Sequence, residues 1–431
     1  MINYRKYELN NGKKDSRLTF ANILFLWVLI SLLPQVIFPT TRESSGSLML
    51  KSVFFLGFLL GCFIYLYKKK ARANVMEVFL GVLLCLIQIV ADYLVGGQSF
   101  SFGSIAYITI SSAYYVLFFG LMYDEEIDSK GIYRIAFLYD FFILYASAYN
   151  IAIYGSSMIN VFSITNTYEM VMRSFFTNRN TFAMFLMFAV ISSIYRLANP
   201  ASRKQKAWCW FVLIITGYSM FCTFARTSLL ATAVFIVIYF VGRRKNQVLR
   251  RALICLLIVV LMVGILYITG AYQYVLDMVV RPEAGSTGRV DRWGMLLEKF
   301  LQGNIFLGGN SDNPIMPHNT YIYILLAGGL SLLTFFIVLF LRILRKIVFI
   351  LKHDREHGTF FLALFIAYTC IMSMAETVLP VASPANSVIT TLFALLMPHY
   401  YYNYIISQQK LRVAEQSTED TEDNEKGLEI S

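Results

Sequence analysis

Apolar runs close to 20 residues long, parted by short polar breaks, recur along nearly all of this 431-residue chain. A helix of that length rises about 30 Å, the thickness of a bilayer's hydrocarbon core. Inside lipid, only helices and closed barrels satisfy their own backbone groups. A barrel needs alternating strands of about ten residues, and such alternation is absent. The runs therefore predict an all-α polytopic membrane protein with about 12 transmembrane helices. The spans are placed at 19–38, 50–67, 75–95, 101–122, 132–154, 180–197, 207–223, 226–241, 252–270, 319–341, 359–379 and 385–406. Composition agrees: 15% of residues are charged, against about 25% in a soluble chain.

The net charge of +11 does not point to nucleic acid, because cytoplasmic loops of membrane proteins collect Lys and Arg. The basic clusters are Arg5–Arg17, Lys68–Arg72, Arg203–Lys206, Arg243–Arg251 and Arg342–Lys352, and all fall on one side if the spans alternate. That side is cytoplasmic, which puts both termini in the cytoplasm and the chain in the cytoplasmic membrane. Residues 1–18 read as a cytoplasmic tail and 19–406 as the transmembrane domain. The acid-rich stretch 407–431 reads as a disordered cytoplasmic tail. The loop at 123–131, with Asp124, Glu125, Glu126 and Asp128, breaks the charge rule. A solvated inner loop is expected there ahead of a metal-binding cluster. The six cysteines all lie within or at the ends of apolar runs without zinc-like spacing, so they are expected to be core thiols.

On the outer side two loops are long, 155–179 and 271–318, the second placed before span 10. The second carries Arg281, Arg289, Arg292 and Lys299 against Asp277, Glu283, Asp291, Glu298 and Asp312. It is therefore no basic patch, and its arginines count individually. A guanidinium is a planar fork suited to phosphate and diphosphate; the competing use is an ion pair with a nearby carboxylate. Within this loop Trp293, Leu296, Leu297 and Phe300 stand at i, i+3, i+4, i+7, which predicts a short amphipathic helix at the outer interface.

Three further residues carry chemistry. Arg226 sits where Cys222–Ser228 joins two apolar spans with almost no loop. An arginine sunk at such a corner needs an anion or a fixed partner. His318 is the one histidine of four on the outer side. It stands between Pro317 and Asn319 at the start of a span, where it could accept a proton. Glu376, near the outer end of span eleven, must face protein or water rather than lipid. No Walker loop, HExxH or outer DxD site is present, so neither a nucleotide donor nor a metal or other cofactor is expected.

With these residues in view, the chain resembles the bacterial O-antigen ligase/polymerase superfamily, the Wzy-type polysaccharide polymerases and related ligases. The resemblance is carried by Thr177–Ala183 (TNRNTFA), by Phe224–Ser228 (FARTS), and by Gly288–Arg289, Trp293, Gly308–Gly309, His318–Asn319 and Gly328–Gly329. It covers 177–340. After Gly329 the sequence Leu330–Leu333 departs from the small residue common in ligases, which favours a polymerase. The resemblance implies a GT-C-like, metal-independent membrane glycosyltransferase acting on polyprenyl-diphosphate-linked oligosaccharide at the outer face, in capsule, exopolysaccharide or O-antigen synthesis. It implies a chain-length regulator and a flippase as partners. Arg226 and Arg289 would bind the diphosphate, with Arg179, Asn180, Arg281, Arg292 and Asn319 as further substrate contacts. His318 and Glu376 are the two candidates for the base. The rival expectations are a ligase using a different acceptor and, from another class, a lipid-linked-sugar flippase or transporter. A transporter would place its charged groups near the midplane, whereas here they crowd one face.

Overall fold

The computed structural model describes residues 20–37, 45–69, 73–95, 112–159, 172–176, 178–198, 202–268, 289–308, 318–376 and 392–429. Among these every regular element is a helix, with a single isolated bridge between Asn304 and Gly308. The helices are α1 (Phe20–Ile37), α2 (Ser45–Lys69), α3 (Val75–Val95) and α4 (Ser112–Leu121), then α5 (Ser129–Ile159), α6 (Arg179–Ala198), α7 (Arg203–Cys222), α8 (Arg226–Gly242) and α9 (Val248–Ile268). After them come α10 (Arg289–Gln302), α11 (Thr320–His353), α12 (Arg355–Ala375) and α13 (Met397–Glu429). Over the residues described, each expected span overlaps a helix. Four of these helices, α5, α6, α11 and α12, are long and apolar enough to cross a membrane. The N-terminal tail, most of the loop 155–179, and 269–288 and 309–317 of the second loop lie outside the described residues.

α6 is the hub. In its apolar window 78% of residues are buried, against 39% for α11, because α5, α7 and α8 pack around it. Its run Phe182–Ile191 is apolar on all faces, as a helix enclosed on every side requires. At one end of this hub Arg196 donates to Asp140 of α5 at 2.8 Å and to the backbone oxygen of Ser192 at 3.2 Å. Trp208 of α7 donates to the other Asp140 oxygen at 2.8 Å. Three helices are thus tied through one buried carboxylate.

Three expectations change. The acidic loop is not simply solvated: Glu125 is buried, with Lys69 at 2.6 Å and the Tyr65 hydroxyl at 3.0 Å. Asp128 accepts from the Gly131 amide at 2.8 Å and starts α5. α11 runs past residue 341 to His353, so part of the basic cluster read as a loop is helical. Arg342 pairs with the buried Glu77, and Lys346 meets His399 and lies over the Tyr123 and Tyr402 rings. Finally, α13 continues to Glu429 where a disordered tail was expected. Residues 407–426 contain neither Gly nor Pro and are rich in Gln, Glu, Lys and Arg, so local propensity sustains a helix without an apolar face.

α11 is broken at Gly329 (φ 65, ψ −158). A break inside an apolar helix frees N–H groups that need new partners. Here Leu330 N–H donates to Ile305 O at 2.9 Å and Ser331 N–H to Phe306 O at 3.2 Å. The turn 304–308, held by Asn304, is thereby fitted into the break. A Cβ on Gly329 would stand 2.4 Å from the Phe306 carbonyl carbon and oxygen, and one on Gly308 (φ 69) 2.6 Å from Gly329 N. Backbone cannot move aside as a side chain can. Gly329→Ala is therefore expected to cost on the order of 2–4 kcal/mol, from left-handed strain plus overpacking. Thermal unfolding of the purified protein measures it. Gly294→Ala, in open space on α10, serves as the control and should be neutral or stabilising by up to about 1 kcal/mol.

Candidate functional site

α6, α8 and α11 begin, and α12 ends, at one end of the bundle, and the connections among them build a site. Asn178 caps α6 by accepting from the Thr181 amide at 2.8 Å. The next turn carries Arg179 and Asn180. Asn180 Nδ2 donates to Glu376 Oε1 at 2.6 Å. Glu376 stands just past the end of α12, its backbone extended, and its other oxygen Oε2 lies 3.2 Å from His318 Nδ1. His318 is 37% exposed and Glu376 14%, so the imidazole meets solvent while the carboxylate is mostly enclosed.

The chain entering α11 is tied to α12 at several points. Asn319 caps α11, its side-chain oxygen accepting from the Tyr321 and Ile322 amides, while its Nδ2 donates to Met374 O at 3.0 Å. Thr320 Oγ1 donates to Glu376 O at 2.9 Å. The Tyr321 hydroxyl donates to Thr369 O within the π-helical turn Ile366–Met372 of α12. Such π turns recur at functional sites because they release carbonyls from the α-helical ladder. Both ends of the buried Asn319 amide are thus engaged in holding the start of α11 against the end of α12.

Among the described residues, three non-glycine residues have left-handed backbones: Ser174, Phe224 and His318. Each stands shortly before one of the three helices that start at this end. Ser174 is held on α5 by Asn150 at 3.1 Å and by Ala146 O at 2.7 Å. Phe224 makes the tight corner expected between α7 and α8, supported by Thr223, whose hydroxyl bonds Met220 O at 2.7 Å. A left-handed non-glycine residue costs about 1–2 kcal/mol. Strain of this kind gathers where a surrounding structure holds a ligand-facing group in place.

Arg226 is the first residue of α8 and half-buried. Two residues on, the Ser228 hydroxyl lies 3.9 Å from Met372 Sδ, four residues before Glu376. The first turn of α8 thus stands at the same end as the His318–Glu376–Asn180 group. Arg292 lies half-buried on α10. α10 packs on the first half of α11 by burying Leu296 and Phe300 against Ile322 and Leu326, with Trp293 alongside. Leu297 remains 37% exposed, so the buried stripe is narrower than the sequence spacing implied. Arg289 opens α10, its side chain outside the described residues, and Arg281 lies wholly outside them.

The arrangement unites Asn180, His318 and Glu376, three residues far apart in the chain. An imidazole whose Nδ1 faces a carboxylate can take a proton at Nε2. Helix N-termini and arginines at the same end suit an anion. Sequence reasoning missed the Asp140–Arg196–Trp208 tie and the burial of Glu125. A charged residue inside an apolar run was the available signal for the first. No protein-family model matches the chain, and no curated protein matches it.

Proposed function

We propose that this chain is a multi-pass glycosyltransferase of about 12 crossings, both termini cytoplasmic. It joins polyprenyl-diphosphate-linked oligosaccharide repeat units at the outer face of the cytoplasmic membrane. One observation carries the reading: the His318–Glu376 pair stands at the end of the bundle where α6, α8 and α11 begin, the last two with Arg226 and His318 at their starts. In the reaction, His318 Nε2 takes the proton of an acceptor sugar hydroxyl. That oxygen attacks the anomeric carbon of the donor, the bond from that carbon to the phosphate oxygen breaks, and the polyprenyl diphosphate leaves. Arg226, with Arg179, Arg289 and Arg292 as its companions, stabilises the negative charge that builds on the leaving diphosphate. Glu376 stabilises the imidazolium formed meanwhile.

The test uses cells that make the polymer. Removing the chain should leave single lipid-linked repeat units in place of the polymer ladder, and re-expression should restore the ladder. An unchanged ladder in its absence overturns the reading. Intact free polymer that fails to reach its final acceptor would identify a ligase instead. Arg226→Lys keeps the charge but loses the planar fork, and is expected to cut polymer yield about tenfold or more, a loss of at least ~1.4 kcal/mol in transition-state binding. Polymer analysis at matched expression checks this.

A further inference from the structure

The chemistry of His318 depends on which ring nitrogen holds the proton, and Glu376 can decide this only if its carboxylate is itself held. A glutamate has three side-chain torsions, and the last is broad and roughly two-fold. Asn180 restricts that torsion through a direct contact. Its NH₂ group can only donate, and at 2.6 Å it engages Oε1 while Oε2 faces His318 at 3.2 Å. The Glu376 backbone is pinned separately, its N–H donating to Met372 O at 2.8 Å and its carbonyl accepting from Thr320. Asn180 in turn sits on the first turn of the most enclosed helix, whose start is capped by Asn178. The amide is thus fixed by the rigid hub of the bundle. Asn180, expected from the sequence as a substrate contact, directs one amide donor at the carboxylate.

We propose that Asn180 is a positioning residue: it holds the Glu376 carboxylate against His318 Nδ1 and so fixes the imidazole in the tautomer whose Nε2 carries the basic lone pair. The proposal deepens the reading of this site as a proton acceptor, but its test needs no substrate and so fails or succeeds independently of that reading.

The experiment is nitrogen NMR on protein carrying labelled histidine, followed through a pH titration in detergent micelles. His353, His357 and His399 report on the rest of the fold. In the wild type the neutral His318 ring should show one tautomer, protonated at Nδ1. Asn180→Ala removes the donor on Oε1, so the ring should become a mixture of tautomers and take up its proton at lower pH. Asn180→Asp is nearly isosteric and adds a second carboxylate, so the ring should take up its proton at higher pH, by on the order of one unit or tenfold in proton affinity. Arg179 and Arg226, the neighbouring charges at this end, are common to all variants. Glu376→Gln should abolish the single-tautomer signature outright. Shifts of opposite sign in the two Asn180 variants, confined to His318, support the proposal. An unmoved His318 signal in both variants overturns it. Movement of all four histidines together also overturns it, since Asn180 would then be holding the fold rather than the imidazole.

Discussion

His318→Ala is expected to slow transfer by roughly 10²- to 10⁴-fold, the range that a positioned proton acceptor contributes, or about 3–5 kcal/mol of barrier. The loss should fall on the chemical step. On the proposed reading, donor binding would rest on the arginines and helix starts rather than on the imidazole. The ring is more than a third exposed, so its removal leaves no buried cavity, and Asn319 and Thr320 keep the cap of α11 and its tie to α12. Glu376→Gln should show a smaller but definite loss, because it removes the negative charge that stabilises the imidazolium while leaving the imidazole. The decisive measurements are donor binding and single-turnover transfer, made separately on purified variants with isolated lipid-linked repeat units. Normal transfer by His318→Ala would remove the proton-acceptor role. Weakened donor binding with a normal transfer rate would move His318 to the diphosphate.

The largest effect on stability is expected at the opposite kind of site. Asp140 and Arg196 are 0% and 1% exposed, and they meet at 2.8 Å. Arg196→Met should destabilise the protein by about 3–5 kcal/mol, because it strands a buried carboxylate with its main partner gone. The Trp208 indole would still donate to Asp140, but one neutral donor does not replace a guanidinium. The double variant Asp140→Leu with Arg196→Met should recover most of the loss, since a buried ion pair exchanged for apolar side chains is often neutral or better. Thermal unfolding in a single detergent compares the three proteins. A single variant as stable as the wild type, or a double variant no better than the single, would show that this pair does not clamp α5, α6 and α7. Neither change touches the His318 end, so what activity survives should track the folded fraction.

How much of this was legible from residue order differs by element. Helix α10 was legible apart from Leu297, which stays exposed, because an amphipathic helix writes its buried face locally: Trp293, Leu296 and Phe300 are spaced for it and pack on Ile322 and Leu326. The corner before Arg226 was legible for a similar reason, since two apolar runs with almost no residues between them must turn within a few bonds. At 407–429, where the polar sequence reads as a disordered tail, the structure continues the helix begun at Met397, as helix formers can.

Sequence by itself determined that the chain is a set of apolar helices, because the bilayer-length runs leave the backbone no other way to satisfy its hydrogen bonds. It also singled out His318, Glu376 and Arg226 as candidate functional groups. Only the tertiary structure decided which of them meet. Asn180 reaches Glu376 across 196 residues and His318 reaches it across 58. No periodicity within a helix encodes such pairings, which arise from how whole helices pack. The same holds for Asp140 with Arg196 and for the turn 304–308 seated in the break at Gly329. Local spacing sets which face of a helix is apolar, but the neighbour that covers that face is chosen by packing the whole chain at once.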